Sequence, residues 1–221
     1  MSVAVVTLAG MSVSVITGYD RGMARWKPDS RGRLEQAALA LYDERGFENT
    51  TVAEIAARAG LTERTFFRYF ADKREVLFGG AGALQELLVR AVADAPADVA
   101  PLQVVGDALG AAGELLQERR EFSRQRQAVI ASNVELHERE LIKLATLAAA
   151  LADVLRDRGV KDPAASLTAE AGVAVFRVAF ERWADEPLEL DLPQLIRDSL
   201  DELRAVTGLP TFDTPLRKTA H

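Results

Sequence analysis

From Thr51 to Lys73 the chain reads TVAEIAARAGLTERTFFRYFADK. Val52, Ile55, Ala56 and Ala59 recur at i, i+3, i+4 and i+7, which is one apolar face of a helix. Thr51 followed by Glu54 has the spacing of a capping box, in which each side chain takes up an orphan N–H at the helix start. Gly60 then ends the helix, since the residue after a C-cap often takes a left-handed backbone that only glycine adopts without strain. Thr62 is placed to cap a second helix, with Phe66 and Phe70 on one face and Arg64, Thr65 and Arg68 on another. Two short helices about a tight glycine turn make a helix-turn-helix, whose second helix lies in the DNA major groove.

Around this pair, Leu34, Ala37, Ala38, Leu41 and Tyr42 predict a preceding helix capped by Asp29 or Ser30 and ended by Arg45-Gly46-Phe47. The spacing Gly60, Thr62, Thr65, Phe66, Phe67, Tyr69, Phe70, Lys73 resembles the TetR family of bacterial transcriptional regulators. The likeness is specific over Leu34 to Leu77 and weak beyond it. The second aromatic, usually tyrosine, is Phe67 here, so its hydrogen bond to phosphate is lost while its packing role survives. The resemblance implies a DNA-binding surface of Thr51, Thr62, Arg64, Thr65, Phe67, Arg68, Tyr69 and Lys73. Thr51 and Thr62 sit at helix starts suited to phosphate. Lys73 offers a point charge, Tyr69 a hydroxyl, and Arg64, Thr65 and Arg68 line the groove. Each lone arginine also reads as an ordinary solvated residue.

The chain has 221 residues and a net charge of −6. That total hides an asymmetry. Met23 to Gly79 carries ten basic and nine acidic residues, net +1, and Gly80 onward sixteen against twenty-three, net −7. The acidic part cannot approach DNA closely and the first part can, although an acidic helical surface is also ordinary solvation. There is no cysteine, which excludes disulfides, thiolate metal sites and a cysteine nucleophile. The two histidines, His137 and His221, are far apart, and no carboxylate pair has a distinctive spacing, so no catalytic residue, metal or cofactor is assigned.

Alanine and leucine are abundant and aromatics few, which favours helix. No stretch alternates convincingly enough to be a strand. The expectation is an all-α fold of about nine helices: a fourth helix from Asp72–Glu75 to Asp94, then Leu102–Glu118, Phe122–Ser132, Glu135–Arg158, one starting at Asp162-Pro163, and a last one starting at Asp191-Leu192-Pro193. Residues 1–22 read as sequence upstream of the true start at Met23, or as a disordered or weakly membrane-adhering extension. Its apolar run, Val3 to Ile16, is too short to span a bilayer and lacks the basic start of a signal peptide. Arg25, Lys27, Arg31 and Arg33 form a basic arm or a frayed cationic terminus. Residues 23–75 form the helix-turn-helix domain, 76–208 a helical ligand-binding and dimerisation domain, and 209–221 a flexible tail.

The resemblance implies a homodimer on a palindromic operator in double-stranded DNA, a cytoplasmic location and no membrane association. It also implies release of DNA by a small-molecule effector. For the dimer, the stripes of the last two helices (Phe176, Phe180, Trp183, Leu195, Leu200 and Leu203) form the expected interface, and the same stripes also read as intramolecular core. For the effector, Arg119 to Arg126 is the most cationic run of the acidic part. With Val129 to Asn133 it resembles the acyl-CoA-like ligand-binding region of mycofactocin-regulator-type members. Phe122, Arg124, Arg126 and Ile130 are the ligand candidates, and a salt-bridged helix surface with Glu118, Glu121 and Glu135 is the alternative. An all-helical lipid-binding protein, or an enzyme without specific DNA binding, is the competing class.

Overall fold

The computed structural model describes residues 5–8, 11–14, 30–185 and 190–208. The chain divides into two units, Met1–Ser30 and Arg31–His221. In the first, β1 (Val5–Leu8) pairs antiparallel with β2 (Met11–Ser14), Val5 opposite Ser14 and Leu8 opposite Met11. This corrects the expectation of no strand. Valine and threonine suit a pleated ribbon, but four residues per strand are too few for alternation to be legible. The expected arm residues Arg25 and Lys27, the alternative cap Asp29 and the tail 209–221 lie outside the described residues.

The second unit is all-α, with nine α-helices among the described residues. Helix α1 (Ser30–Arg45) buries Leu34, Ala37, Ala38, Leu41 and Tyr42, and Gly46 follows it at φ 82°. Helix α2 (Val52–Arg58) starts at Thr51 with both halves of the capping box in place. Its end is closed in the Schellman manner: the Leu61 N–H donates to the Ala56 carbonyl at 2.8 Å and the Gly60 N–H to Ala57 at 3.0 Å, with Gly60 at φ 65°. Helix α3 (Glu63–Tyr69) is capped by Thr62 and buries Phe66, while its C-cap Phe70 is buried just beyond.

The expected continuous helix from Asp72 to Asp94 is broken. Asp72 leads only into a 3₁₀ turn, Glu75–Leu77, whose N-cap is Arg74; its carboxylate accepts from the N–H groups of Arg74 (2.8 Å) and Glu75 (3.0 Å). The chain resumes as α4 (Ala81–Asp94). At the break a side chain on Gly79 would collide with Arg31, Phe70 and Glu35, so packing against α1 overrides helical continuity there.

Helices α5 (Pro101–Gln117), α6 (Arg120–Ala131), α7 (Val134–Asp157), α8 (Ala164–Asp185) and α9 (Leu192–Thr207) follow within two residues of expectation. Buried apolar residues form two clusters. One joins α1, α2 and α3 with the turn after α3, and also takes Val129 and Ile130 from α6 and Leu136 from α7. The other fills the space between α4, α5, α7, α8 and α9. Helix α5 comes close to α8 and α9 because glycines face its neighbours: Gly172 meets Val105, and Gly106 meets Leu200.

Gly172→Ala tests that packing. Alanine is the better helix former, yet its methyl would overlap the buried Val105 side chain, and overpacking of this kind costs about 1–3 kcal/mol. A lowered urea midpoint with unchanged m is the expected result.

Candidate functional site

The outer face of α3 is built by subtraction. Phe66 is wholly buried, with the Phe70 ring tilted against it at a centroid distance of 5.4 Å, so the opposite side of the helix must face solvent. Arg64, Phe67, Arg68 and Tyr69 are exposed there and Thr65 is half-buried. Phe67 is 55% exposed and meets Phe66 edge to face at 5.5 Å. The Arg68 guanidinium lies 4.9 Å over the Tyr69 ring and donates to its hydroxyl at 3.2 Å. Arg64 has no hydrogen bond or ion pair among the described residues. Thr62 Oγ1 accepts from the Thr65 N–H at 3.2 Å, and the two threonine hydroxyls are 3.0 Å apart. At the start of α2 the Thr51 backbone N–H bond holds the Glu54 carboxyl below the usual carboxylate range.

Lys73 is placed differently from the free point charge expected. Its ammonium donates to the carbonyls of Phe47 (2.9 Å), Thr50 (3.2 Å) and Glu48 (3.4 Å), and sits 4.2 Å from the Phe47 ring centroid. Three donors meet three carbonyls that no helix serves, so the lysine ties the loop before α2 to the end of α3. The Tyr42 hydroxyl donates to the Lys73 carbonyl at 2.5 Å, and burial pushes that phenol's pKa up.

A second feature is a cavity of about 480 Å³ between α4, α6, α7, α8 and the turn after α3. Of the four ligand candidates it brings together two, Phe122 and Arg126. Arg124 instead donates to the Ala184 carbonyl at 3.0 Å, and Ile130 is wholly buried in the cluster around α1–α3. The residues of the expected dimer stripe are placed as follows. Trp183, Leu195 and Leu200 are buried within the chain, Leu203 packs against the same core, and Phe176 and Phe180 line the cavity. The apolar faces of α8 and α9 are spent on their own α5, which its facing glycines let approach.

Apart from Arg126 itself, the polar lining and its partners were not legible in the sequence. Arg126 forms an ion pair with Glu140 at 3.0 Å and donates to the Leu77 carbonyl at 2.7 Å, over the Phe78 ring at 5.0 Å. Burial pulls its pKa down, opposed by Glu140, and the guanidinium stays protonated. Arg139 and Lys143 both hold Glu75, at 2.6 and 3.1 Å. Arg119 pairs with Glu35 of α1 at 3.4 Å. These partners lie far apart in the chain, and no local pattern announces them.

The family described as bacterial regulatory proteins, tetR family, matches residues 35–78, and the MftR C-terminal domain matches residues 99–208. The chain belongs to the TetR family. Over 82 residues it is 39% identical to the HTH-type transcriptional regulator TcmR of Streptomyces glaucescens, a match covering 37% of this chain and 36% of that protein. This chain thus spans about a third of the length of that curated relative. Two solved structures share the fold. SmeT, the repressor of the Stenotrophomonas maltophilia multidrug efflux pump SmeDEF, is 20% identical with a TM-score of 0.55, covering 83% of this chain and 94% of that one. FadR of Bacillus subtilis, in complex with stearoyl-CoA, is 18% identical with a TM-score of 0.58, covering 81% and 99%. In this TetR-family chain the match to the tetR regulatory family ends at Phe78, which directly follows the short turn Glu75–Leu77 and lines the cavity.

Lys73 and Arg64 separate positioning from surface. Lys73→Ala removes three charge-assisted bonds and is expected to lower unfolding stability by about 1–3 kcal/mol. Arg64→Ala is expected to stay within about 0.5 kcal/mol of wild type. Urea denaturation of the two variants checks the contrast.

Proposed function

We propose that the protein is a transcriptional repressor that binds a palindromic operator as a homodimer in the cytoplasm and is released by a small hydrophobic or acyl-CoA-like ligand. The observation that carries the reading is the solvent face of α3, where Arg64, Arg68, Phe67 and Tyr69 stand out from a buried Phe66. An arginine there can bond guanine O6 and N7 together, and Thr65 and Phe67 can meet bases or sugar. Thr51, Thr62 and Tyr69 supply phosphate contacts that set register. The role of Lys73 is to hold the loop that presents Thr51.

One such reading head covers few base pairs, so two copies on a palindrome are required for a useful site. The second copy docks on the outer stripe of α8. Leu167 (65% exposed), Ala174 and Val178 (43% exposed) share that face with half-buried Ala171, whereas the outer face of α9 carries Asp198, Asp201 and Glu202. The cavity of about 480 Å³, largely apolar with arginine and lysine in its wall, is the effector site. FadR, of the same fold, was solved with stearoyl-CoA. No helix among the described residues is long and apolar enough to cross a membrane.

Selection from random DNA is expected to return a two-fold symmetric site; recovery of no preferred sequence would sink the reading. On that site Arg64→Ala should lose roughly 1–3 kcal/mol of discrimination at one base pair per half-site. The double change Leu167→Glu with Val178→Glu is expected to yield a monomer by sedimentation and to abolish tight operator binding.

A further inference from the structure

The 3₁₀ turn Glu75–Leu77 follows the reading head directly, and three cations hold it. Arg139 Nε and Lys143 Nζ meet the two oxygens of Glu75 at 2.6 and 3.1 Å, and Arg126 Nε meets the Leu77 carbonyl at 2.7 Å. All three cations also line the cavity. Their only carboxylate partners among the described residues are Glu75 and Glu140, so three positive charges face two negative ones. Phe122, Leu147 and Phe180 give the wall an apolar part, and Arg119, Glu35, Arg177 and Glu181 are further charged residues of the lining. An amphiphile entering this space finds a surplus of positive charge at the three cations and hydrocarbon against the aromatic and leucine side chains.

We infer that the cavity selects amphiphiles with an anionic head, and that this head competes with Glu75 and the Leu77 carbonyl for Arg139, Lys143 and Arg126. The inference rests on the reading of the cavity as the effector site. Its chemistry is an exchange of acceptors. The carboxylate or phosphate of the ligand takes up donors that otherwise tether the turn, and the turn is then free to move with the reading head. Glu75 is a positioning residue here, because it need not touch the ligand. A ligand shifts the equilibrium only by its differential affinity for the tethered and released states, and acceptor exchange supplies that difference. Linkage makes the effect reciprocal: whatever factor the anion takes from operator affinity, the operator takes from anion affinity.

Calorimetric titration of the full-length protein with decanoate, decyl phosphate and decanol, all below their micelle concentrations, tests this. Decanoate or decyl phosphate, or both, should bind at least about tenfold tighter than decanol, and the two anions separate carboxylate from phosphate as the preferred head. Glu75→Gln removes the competing charge. It should tighten the preferred anion about fivefold and leave decanol unchanged, a change in ratio that general loosening of the fold would not produce. The same anion should weaken operator binding by wild type more than by Glu75→Gln. If Glu75→Gln does not melt cooperatively, Lys143→Gln reads the same point in the opposite sense, with weaker anion binding and unchanged decanol. Equal binding of decanol and both anions would overturn the inference and leave the effector cavity standing. So would Glu75→Gln having no effect on anion affinity. Failure of all three to bind would overturn both.

Discussion

The Lys73 ammonium, seated on the carbonyls of Phe47, Glu48 and Thr50, is the contact on which the reading head depends. A loop between helices leaves carbonyl groups without partners, and half-buried ones are costly to leave unmet. One lysine reaches three, sharing the Phe47 carbonyl with the Thr50 N–H, which donates to it at 3.2 Å. Its own backbone carbonyl accepts the buried Tyr42 hydroxyl, so the same residue links α1, the loop before α2 and the end of α3. The loop then presents Thr51 in the extended conformation an N-cap needs, and α2 begins there. From α2 the Gly60 turn sets α3, and burial of Phe66 and Phe70 determines which side of α3 faces outward.

Beyond the head, the arrangement is a compromise between firmness and movement. The head's apolar cluster takes Val129 and Ile130 from α6 and Leu136 from α7, so it is not an independent ball on a string. The polar ties are different in kind. Arg119 to Glu35, Asn133 to Glu48, and Arg139 with Lys143 to Glu75 are part-exposed and scattered along one seam. Such pairs are individually worth little in stability, and they set orientation more than they set folding. A seam of this kind can hold one position and still be exchanged for another at modest cost.

The parts of the site that were legible in the sequence are those whose causes are local. The Thr51–Glu54 box, the Gly60 turn and the Phe66–Phe70 face each follow from spacings under five residues, and all three are present. The split in charge between Met23–Gly79 and the rest is also plain in the order of residues. What misled was amphipathicity without an address. The stripes of α8 and α9 are apolar as expected, but a stripe does not say whether it meets a second copy or its own α5; Gly106 and Gly172 bring α5 against Leu200 of α9 and, through Val105, against α8. Arg124 and Arg126, two residues apart on α6, point to different neighbours for the same reason.

By itself, then, the order of residues determined the helices, their caps and the identity of the reading head, because capping, helical period and glycine turns act over one or two turns of chain. Only tertiary structure decided that Lys73 serves the chain's own carbonyls, that the helix after Asp72 breaks at Gly79, and that Arg126, Arg139 and Lys143 converge on the turn Glu75–Leu77. Those outcomes depend on which groups meet across 23 to 68 positions of sequence, and such meetings are set by the packing of whole helices.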